Sequence, residues 1–278
     1  MKFMKKGLNA WTVNDAYGFE ETFAAAAKAG FDGIELNVDL PERSAHSLTM
    51  ETTQEEYAKI RDLSEKYALP VTSISSSLGH NLTGDYTRHN FAKKLLFKQI
   101  EAAKALGATG ILSVPGGMPG EITLNESRTA TVEFYKSLRK QIEAEGILVG
   151  LENVANRFFM SPYDMVSLID EIGSPCIGAY FDAGNVLRFS EAEWWIEIFG
   201  KRIMFVHVKD FLRASKWEGQ RALLTEGNGN WDKIAAQLRK HGYEGPLTAE
   251  VPAAHNFPSD LAYYTDVAER IGRIIALP

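Results

Sequence analysis

Eight short apolar runs, each followed by a stretch with helical periodicity, constrain the fold of this chain more than any other feature. The runs are KGLNAW (6–11), FDGIELN (31–37), PVTSISS (70–76), TGILSV (109–114), ILVGLEN (147–153), IGAYFD (177–182), RIMFVHVKD (202–210) and PLTAEV (246–251). Short continuous apolar runs are what strands buried on both faces require. Strict alternation with helices implies parallel strands joined by right-handed crossovers. Eight such units in 278 residues predict an α/β fold, a (β/α)8 TIM barrel forming a single domain over 1–278. An open doubly wound sheet is the alternative, but no glycine-rich phosphate fingerprint follows the first run.

The segments between the runs carry helix signals. From Arg88 to Leu106 the spacing places Phe91, Leu95, Ile100, Ala103 and Leu106 on one face, and Gly107 follows as a stop. Capping-box spacing pairs Thr53 with Glu56, Thr123 with Glu126 and Ser190 with Glu193, and Ser161-Pro162 supplies a cap and a first-turn proline. The longest non-helical pieces, 38–51, 76–87 and 211–230, all follow a strand. That puts them at the mouth where barrel enzymes keep their sites.

Four successive runs end in a side chain that is costly to bury: Glu152, Asp182, His207 and Glu250. Strand alternation in FVHVKD turns His207 and Lys209 to one face, and the outer face must pack on helices. The polar face is therefore the barrel interior, and the four side chains meet near the top of its axis. A plug of paired polar groups is the bland reading, but barrel interiors are usually filled by branched apolar residues. Three carboxylates and an imidazole at one point repel one another without a cation. A hard or borderline divalent metal such as Mn, Mg, Co or Zn is the simplest resolution.

Composition excludes several classes. With 45% hydrophobic and 24% charged residues the chain resembles an ordinary globular protein, and no apolar stretch reaches membrane-span length. A net charge of -6 argues against tracking a nucleic-acid backbone. MKFMKKGLNA has no apolar segment before Trp11, so no secretory signal is expected, and the single Cys176 has no internal partner. Both fit a cytoplasmic location.

The motifs GFDGIEL (30–36), GLEN (150–153), YFDAGN (180–185), FVHVKD (205–210), EGNGNW (226–231) and GYEGPLTAE (242–250) occur in that order. With them the chain resembles, over essentially its whole length, the xylose-isomerase-like TIM-barrel superfamily of sugar and sugar-phosphate isomerases and epimerases. The resemblance implies that Glu152, Asp182, His207 and Glu250 bind one divalent metal, commonly Mn. It also implies that Glu152 and Glu250 are the catalytic acid/base pair, moving a proton alpha to a carbonyl through a metal-stabilised enediolate.

The chain departs from the ketose 3-epimerases of this family. Asn185 stands where they place a His, Phe158 where they place a second Glu, and the Arg-Gly element after the strand-seven His is absent. A keto-inositol-type dehydratase on the same metal site and an inactive sugar-binding barrel are the alternative functions. Apurinic endonucleases resemble the chain too, but they use a zinc cluster with more histidines.

The expected partner is a sugar or sugar phosphate, with no nucleic acid and no membrane. Lys209, Arg157 and Arg213 lie on the expected mouth and suit a phosphate or acidic sugar, with an ion pair to Asp210 or Glu35 as the other reading of Lys209. Asn185, Trp11 and His80 are further substrate-binding candidates. His46 and His255 fall in loops and read as ordinary surface histidines. Glu35 points into the barrel. Trp194, Trp195 and Trp231 suit core or interface, the WWIEIF stretch (194–199) is a candidate homodimer patch, and Cys176 sits at the opposite end of the barrel.

Overall fold

The computed structural model describes residues 4–117, 120, 122–215, 218–252 and 256–278. Its strands are β1 (Lys5–Asn9), β2 (Gly33–Val38), β3 (Val71–Ser76), β4 (Gly110–Ser113), β5 (Leu148–Glu152), β6 (Ile177–Asp182), β7 (Ile203–Val208), β8 (Asp210–Ser215), β9 (Glu218–Ala222) and β10 (Pro246–Ala249). Eight of them close into a parallel barrel in the order β1-β10-β7-β6-β5-β4-β3-β2, and β8 and β9 form a separate antiparallel pair. The helices are α1 (Phe19–Ala29), α2 (Gln54–Lys66), α3 (His89–Leu106), α4 (Leu124–Glu145), α5 (Pro162–Ile172), α6 (Ala183–Val186), α7 (Ala192–Phe199), α8 (Trp231–Lys240) and α9 (Asp260–Ala276). The fold is thus the single-domain (β/α)8 barrel that the alternation predicts.

Two apolar layers hold it. The larger lies between the outer face of the strands and the helices, from Leu8, Ile34 and Ile74 to Ile234 and Ile271. The smaller lies inside the barrel, where Tyr180 and Phe205 stack at 5.1 Å between Leu112 and Val114. Glycine makes room for those rings: a Cβ on Gly110 would come within 2.4 Å of the Phe205 ring. The interior beside β1, β2 and β3 is polar instead, with Asn9, Glu35, Asn37, Ser73 and Ser75 all buried. Branched apolar residues do not fill this barrel throughout.

The predicted capping boxes at Thr53/Glu56 and Thr123/Glu126 form, as does the Ser161 cap before Pro162. The box at Ser190 does not. Ser190 Oγ instead accepts a hydrogen bond from Trp195 Nε1 at 3.2 Å, and α7 starts after Glu191 with no side-chain cap. Phe91 is 42% exposed, because the buried stripe of α3 runs through Ala92, Leu95, Leu96 and Gln99, one position away. β1 ends at Asn9, so Trp11 sits in a 3-10 turn rather than at a strand end.

β7 ends at Val208, and the segment expected to be loop from 211 onward opens with the β8–β9 hairpin. Of the WWIEIF stretch, Trp195, Ile196 and Phe199 face the core, whereas Trp194, 60% exposed, and Glu197 reach the surface and Ile198 is half-buried. Among the described residues no helix is long and apolar enough to cross a membrane.

Candidate metal centre

Glu152 closes β5, Asp182 closes β6, His207 lies near the end of β7, and Glu250 directly follows β10. Parallel register sets Asp182 opposite His207 and His207 opposite Thr248, which brings the inward side chains to one level of the mouth. One ligand-capable atom from each of Glu152, Asp182, His207 and Glu250 lies within 4.8 Å of the other three. Asp182 and His207 are fully buried, Glu152 is nearly so, and Glu250 faces a cavity.

Glu35 orients the imidazole from below. Its carboxylate is fully buried and accepts from Asn9 Nδ2 at 2.5 Å, from Ser73 Oγ at 2.6 Å, from the Tyr180 hydroxyl and from His207 Nε2 at 2.7 Å. Burial alone would raise the Glu35 pKa, but His207 and the Ser73 and Tyr180 donors outweigh it and hold the carboxyl below its ordinary value. With Nε2 committed to Glu35, Nδ1 is the nitrogen that faces Glu152 and Glu250. It lies 3.4 Å from Glu152 Oε1 and 3.6 Å from Glu250 Oε2. Burial opposes charge on His207, yet Glu35 and the neighbouring glutamates raise its pKa well above the ordinary value. A proton on Nδ1 would leave on metal binding, as ligation requires.

Lys209 Nζ sits 2.6 Å from Asp182 Oδ2 and 2.5 Å from Glu250 Oε2. Burial pushes Asp182 up to about 7, with Glu250 and Glu152 adding to it against the pull of Lys209. Burial would push Glu250 up as well, but Lys209 and His207 hold it at about 2.

The donor set fits a divalent cation on two observations. Four carboxylates, Glu35, Glu152, Asp182 and Glu250, face only two basic groups, His207 and Lys209, so negative charge is in surplus. Asp182 Oδ2 is buried and, although ion-paired with Lys209, has no hydrogen-bond partner. Three carboxylates with one imidazole suit a hard or borderline ion.

The surrounding residues fix these groups to the backbone. Asn153 bridges β5 to β6: its Nδ2 donates to the Asp182 carbonyl and its Oδ1 accepts from the Asp182 N–H, both at 2.8 Å. Asn185 donates its backbone N–H to Asp182 Oδ1 at 2.9 Å and its amide to the Asn153 carbonyl at 3.1 Å. The glycine of YFDAGN is explained by Lys209, since a Cβ on Gly184 would lie 2.1 Å from Lys209 Cγ.

Asp210 organises the loop after β7. It is buried and accepts from the backbone N–H of Phe211, Thr225, Gly227 and Gly229 and from Trp231 Nε1, at 2.9–3.1 Å. This accounts for EGNGNW. Removing the carboxylate in Asp210→Ala leaves those donors unpaired, so a loss of about 3 kcal/mol is expected from the desolvated groups. Urea denaturation measures it, and an unchanged midpoint would contradict the role.

A cavity of about 830 Å³ opens from the cluster, lined by Trp11, Arg43, Lys209, Arg221, Glu250 and Phe257 among others. Trp11 Nε1 donates to Asp39 Oδ2 at 2.7 Å, and Asp39 Oδ1 accepts from Ser77 N at 3.0 Å, which ties three loops together. His46 is a buried staple rather than a surface group, with ring nitrogens 2.8 Å from the Tyr17 carbonyl and 3.0 Å from the Ala10 carbonyl. Lys209 pairs with Asp182 and Glu250, not with Asp210 or Glu35.

Arg213 is neutralised by Glu191 at 2.7 Å. Arg157 is exposed in a left-handed backbone conformation (φ 62°), and His80 is exposed after a 3-10 turn. His255 lies outside the described residues. Phe158 is buried against Phe159 and over Gly116, where a Cβ would meet its ring at 2.4 Å. Cys176 is partly buried just before β6, at the far end from the cluster. Asn153 and Asp210 close the GLEN and FVHVKD motifs without a role legible there, and Asp39, Arg43 and Arg221 carry no sequence signal beyond being polar.

Residues 23–271 match the family described as xylose isomerase-like TIM barrel. The chain is 25% identical over 249 residues to an L-ribulose 3-epimerase of Methylomonas sp. (strain DH-1), covering 84% of this chain and 79% of that one. It is 24% identical over 247 residues to a 2-epi-5-epi-valiolone 7-phosphate 2-epimerase of Actinoplanes sp., covering 88% and 85%. Among solved structures, a D-allulose 3-epimerase from Methylomonas sp. superposes with a TM-score of 0.76 at 20% identity, covering 99% of both chains. These relatives are named as epimerases, enzymes of the isomerase class. With a family match over most of its length and the barrel described above, the chain belongs to the xylose isomerase-like TIM-barrel family.

Proposed function

We propose that the protein is a divalent-metal-dependent epimerase or isomerase acting on a ketose or ketose phosphate. The observation that carries this reading is the convergence of Glu152, Asp182, His207 and Glu250 within 4.8 Å beside a substrate-sized cavity. Glu152, Asp182, His207 and Glu250 would hold the metal, with Mn favoured and Mg, Co or Zn as alternatives for this oxygen-rich set. When bound, that ion supplies positive charge beside the substrate's carbonyl and adjacent hydroxyl oxygens as negative charge develops.

The chain's own residues do the rest. Glu250, kept ionised by Lys209, is suited to take the proton from the carbon beside the carbonyl. Glu152 stands on the other side of β6 and β7 and would return it from the opposite face. Lys209 reaches both Asp182 and Glu250 and is placed to donate to a substrate oxygen. Trp11 gives the sugar an apolar wall. The free thiol of Cys176 fits a reducing, cytoplasmic setting.

Deuterium wash-in followed by NMR, on the Mn-loaded protein with ketoses, ketose phosphates and keto-inositols, tests the reaction. Exchange at C1 or C3 is expected for isomerisation or epimerisation respectively. Loss of a hydroxyl from a keto-inositol would show a dehydratase instead, and no exchange on any compound would contradict the proposed chemistry.

A further inference from the structure

The cavity that begins at Lys209 and Glu250 carries two guanidinium groups at its rim, Arg43 and Arg221. Both are exposed, and neither forms an ion pair among the described residues. Arg213 and Arg270, by contrast, are neutralised by Glu191 and by Glu226 with Asp266. Two acids also line the cavity, Asp15 and Asp260, and Asp260 is engaged by Asn14 Nδ2 at 2.9 Å.

The two arginines reach the rim from separate loops. Arg43 follows β2 and Arg221 lies in β9, so they flank the sector above β1 and β10. Each stands on an organised backbone. The Arg43 loop is turned by the Arg43 N–H to Leu40 carbonyl bond at 3.0 Å and pinned by His46. Arg221 pairs with Phe211 in the β8–β9 hairpin, whose base Asp210 anchors.

We infer that Arg43 and Arg221 form a clamp for a phosphate group, and that the natural substrate is a phosphorylated keto sugar rather than a free one. Two guanidiniums offer planar forked donors that match phosphate oxygens. The cavity, about 830 Å³, stands in the upper part of the range of about 300–1,000 Å³ typical of small-molecule sites and leaves room for a substituent beyond the sugar. The carbonyl end of the substrate would lie at Glu152, Lys209 and Glu250 and its phosphate at the rim. This orientation rests on the sugar chemistry proposed above, whereas the clamp itself does not.

Calorimetric titration with inorganic phosphate tests the clamp without turnover. The wild-type protein is compared with Arg43→Gln, Arg221→Gln and the control Arg128→Gln, all holding the same metal. Saturable binding is expected in the wild type and control, weakened about tenfold by each rim substitution, the scale of one charge-assisted contact. Absence of binding, or binding indifferent to both substitutions, would overturn the clamp.

A turnover arm then compares a ketose phosphate, the parent ketose and the corresponding hexuronate. Both rim variants should raise KM for the phosphate ester and leave the parent ketose unchanged. Equal wild-type kcat/KM for ester and parent, or preference for the hexuronate, would overturn the substrate assignment. If none of the three turns over while phosphate binding depends on the arginines, the clamp stands and the proposed sugar chemistry fails.

Discussion

Replacing Glu152 by Gln is expected to lower kcat by about a thousandfold, the usual scale for losing a positioned general acid or base, while leaving the fold intact. Glutamine keeps the shape and one acceptor oxygen but cannot take up or return a proton. The side-chain hydrogen bond that Glu152 makes among the described residues is to His207 Nδ1 at 3.4 Å, and glutamine can keep an oxygen there, so little stabilising interaction is lost. Far-ultraviolet circular dichroism and the melting temperature should match the wild type. Turnover equal to the wild type would remove Glu152 from the acid/base pair. Unfolding would show that the carboxylate is needed for the barrel rather than for the reaction.

The second large effect is expected at Glu35, which contacts no substrate in the proposed scheme. Glu35→Gln can keep an oxygen toward His207 Nε2 and Asn9 and turn its amide toward the Ser73 and Tyr180 hydroxyls, both of which can accept. The fold should survive, but the imidazole loses its anionic partner. Metal affinity is expected to fall about 10- to 100-fold, as for other carboxylates that back a ligating histidine. Glu35→Leu leaves the Asn9 and His207 donors without that acceptor, and the Ser73 and Tyr180 hydroxyls with only each other at 3.3 Å, and should cost about 3–5 kcal/mol, as for breaking a buried ion pair. Manganese titration and thermal denaturation separate the two variants. Unchanged manganese affinity in Glu35→Gln would show that Glu35 serves only the polar interior.

The barrel was legible because eight apolar runs repeat with one kind of connection, and the convergence of Glu152, Asp182, His207 and Glu250 because four ionisable side chains sit where burial is costly. Other features lacked such a signal. The β8–β9 hairpin was hidden because Glu218–Ala222 is exposed and shows no alternating apolar pattern. Its base is set by Asp210, whose partners, the Trp231 indole apart, are backbone N–H groups that any residue carries.

Ser190 had the spacing of a capping box, but a tertiary partner, the Trp195 indole, took its hydroxyl. The polar interior around Asn9, Asn37 and Ser75 reads in sequence as strand residues of mixed character, and only closure of the barrel brings them together. Arg43 and Arg221 were missed for a related reason. An arginine in a loop or hairpin reveals its direction only once the path of that segment is known, and those paths depend on His46 bonding to Tyr17 and Ala10 and on Asp210 gathering Thr225, Gly227 and Gly229.

Whether Glu152, Asp182, His207 and Glu250 hold a metal is decided by stoichiometry. The protein would be stripped with a chelator, dialysed against Mn and measured by elemental mass spectrometry alongside Asp182→Ala. One Mn per wild-type chain and almost none in the variant are expected, because Asp182 is the fully buried carboxylate of the cluster and its Oδ2 has the Lys209 ammonium at 2.6 Å as its one charged partner among the described residues. No retained metal in the wild type, or equal retention in both proteins, would show that the four converging side chains are not a metal centre.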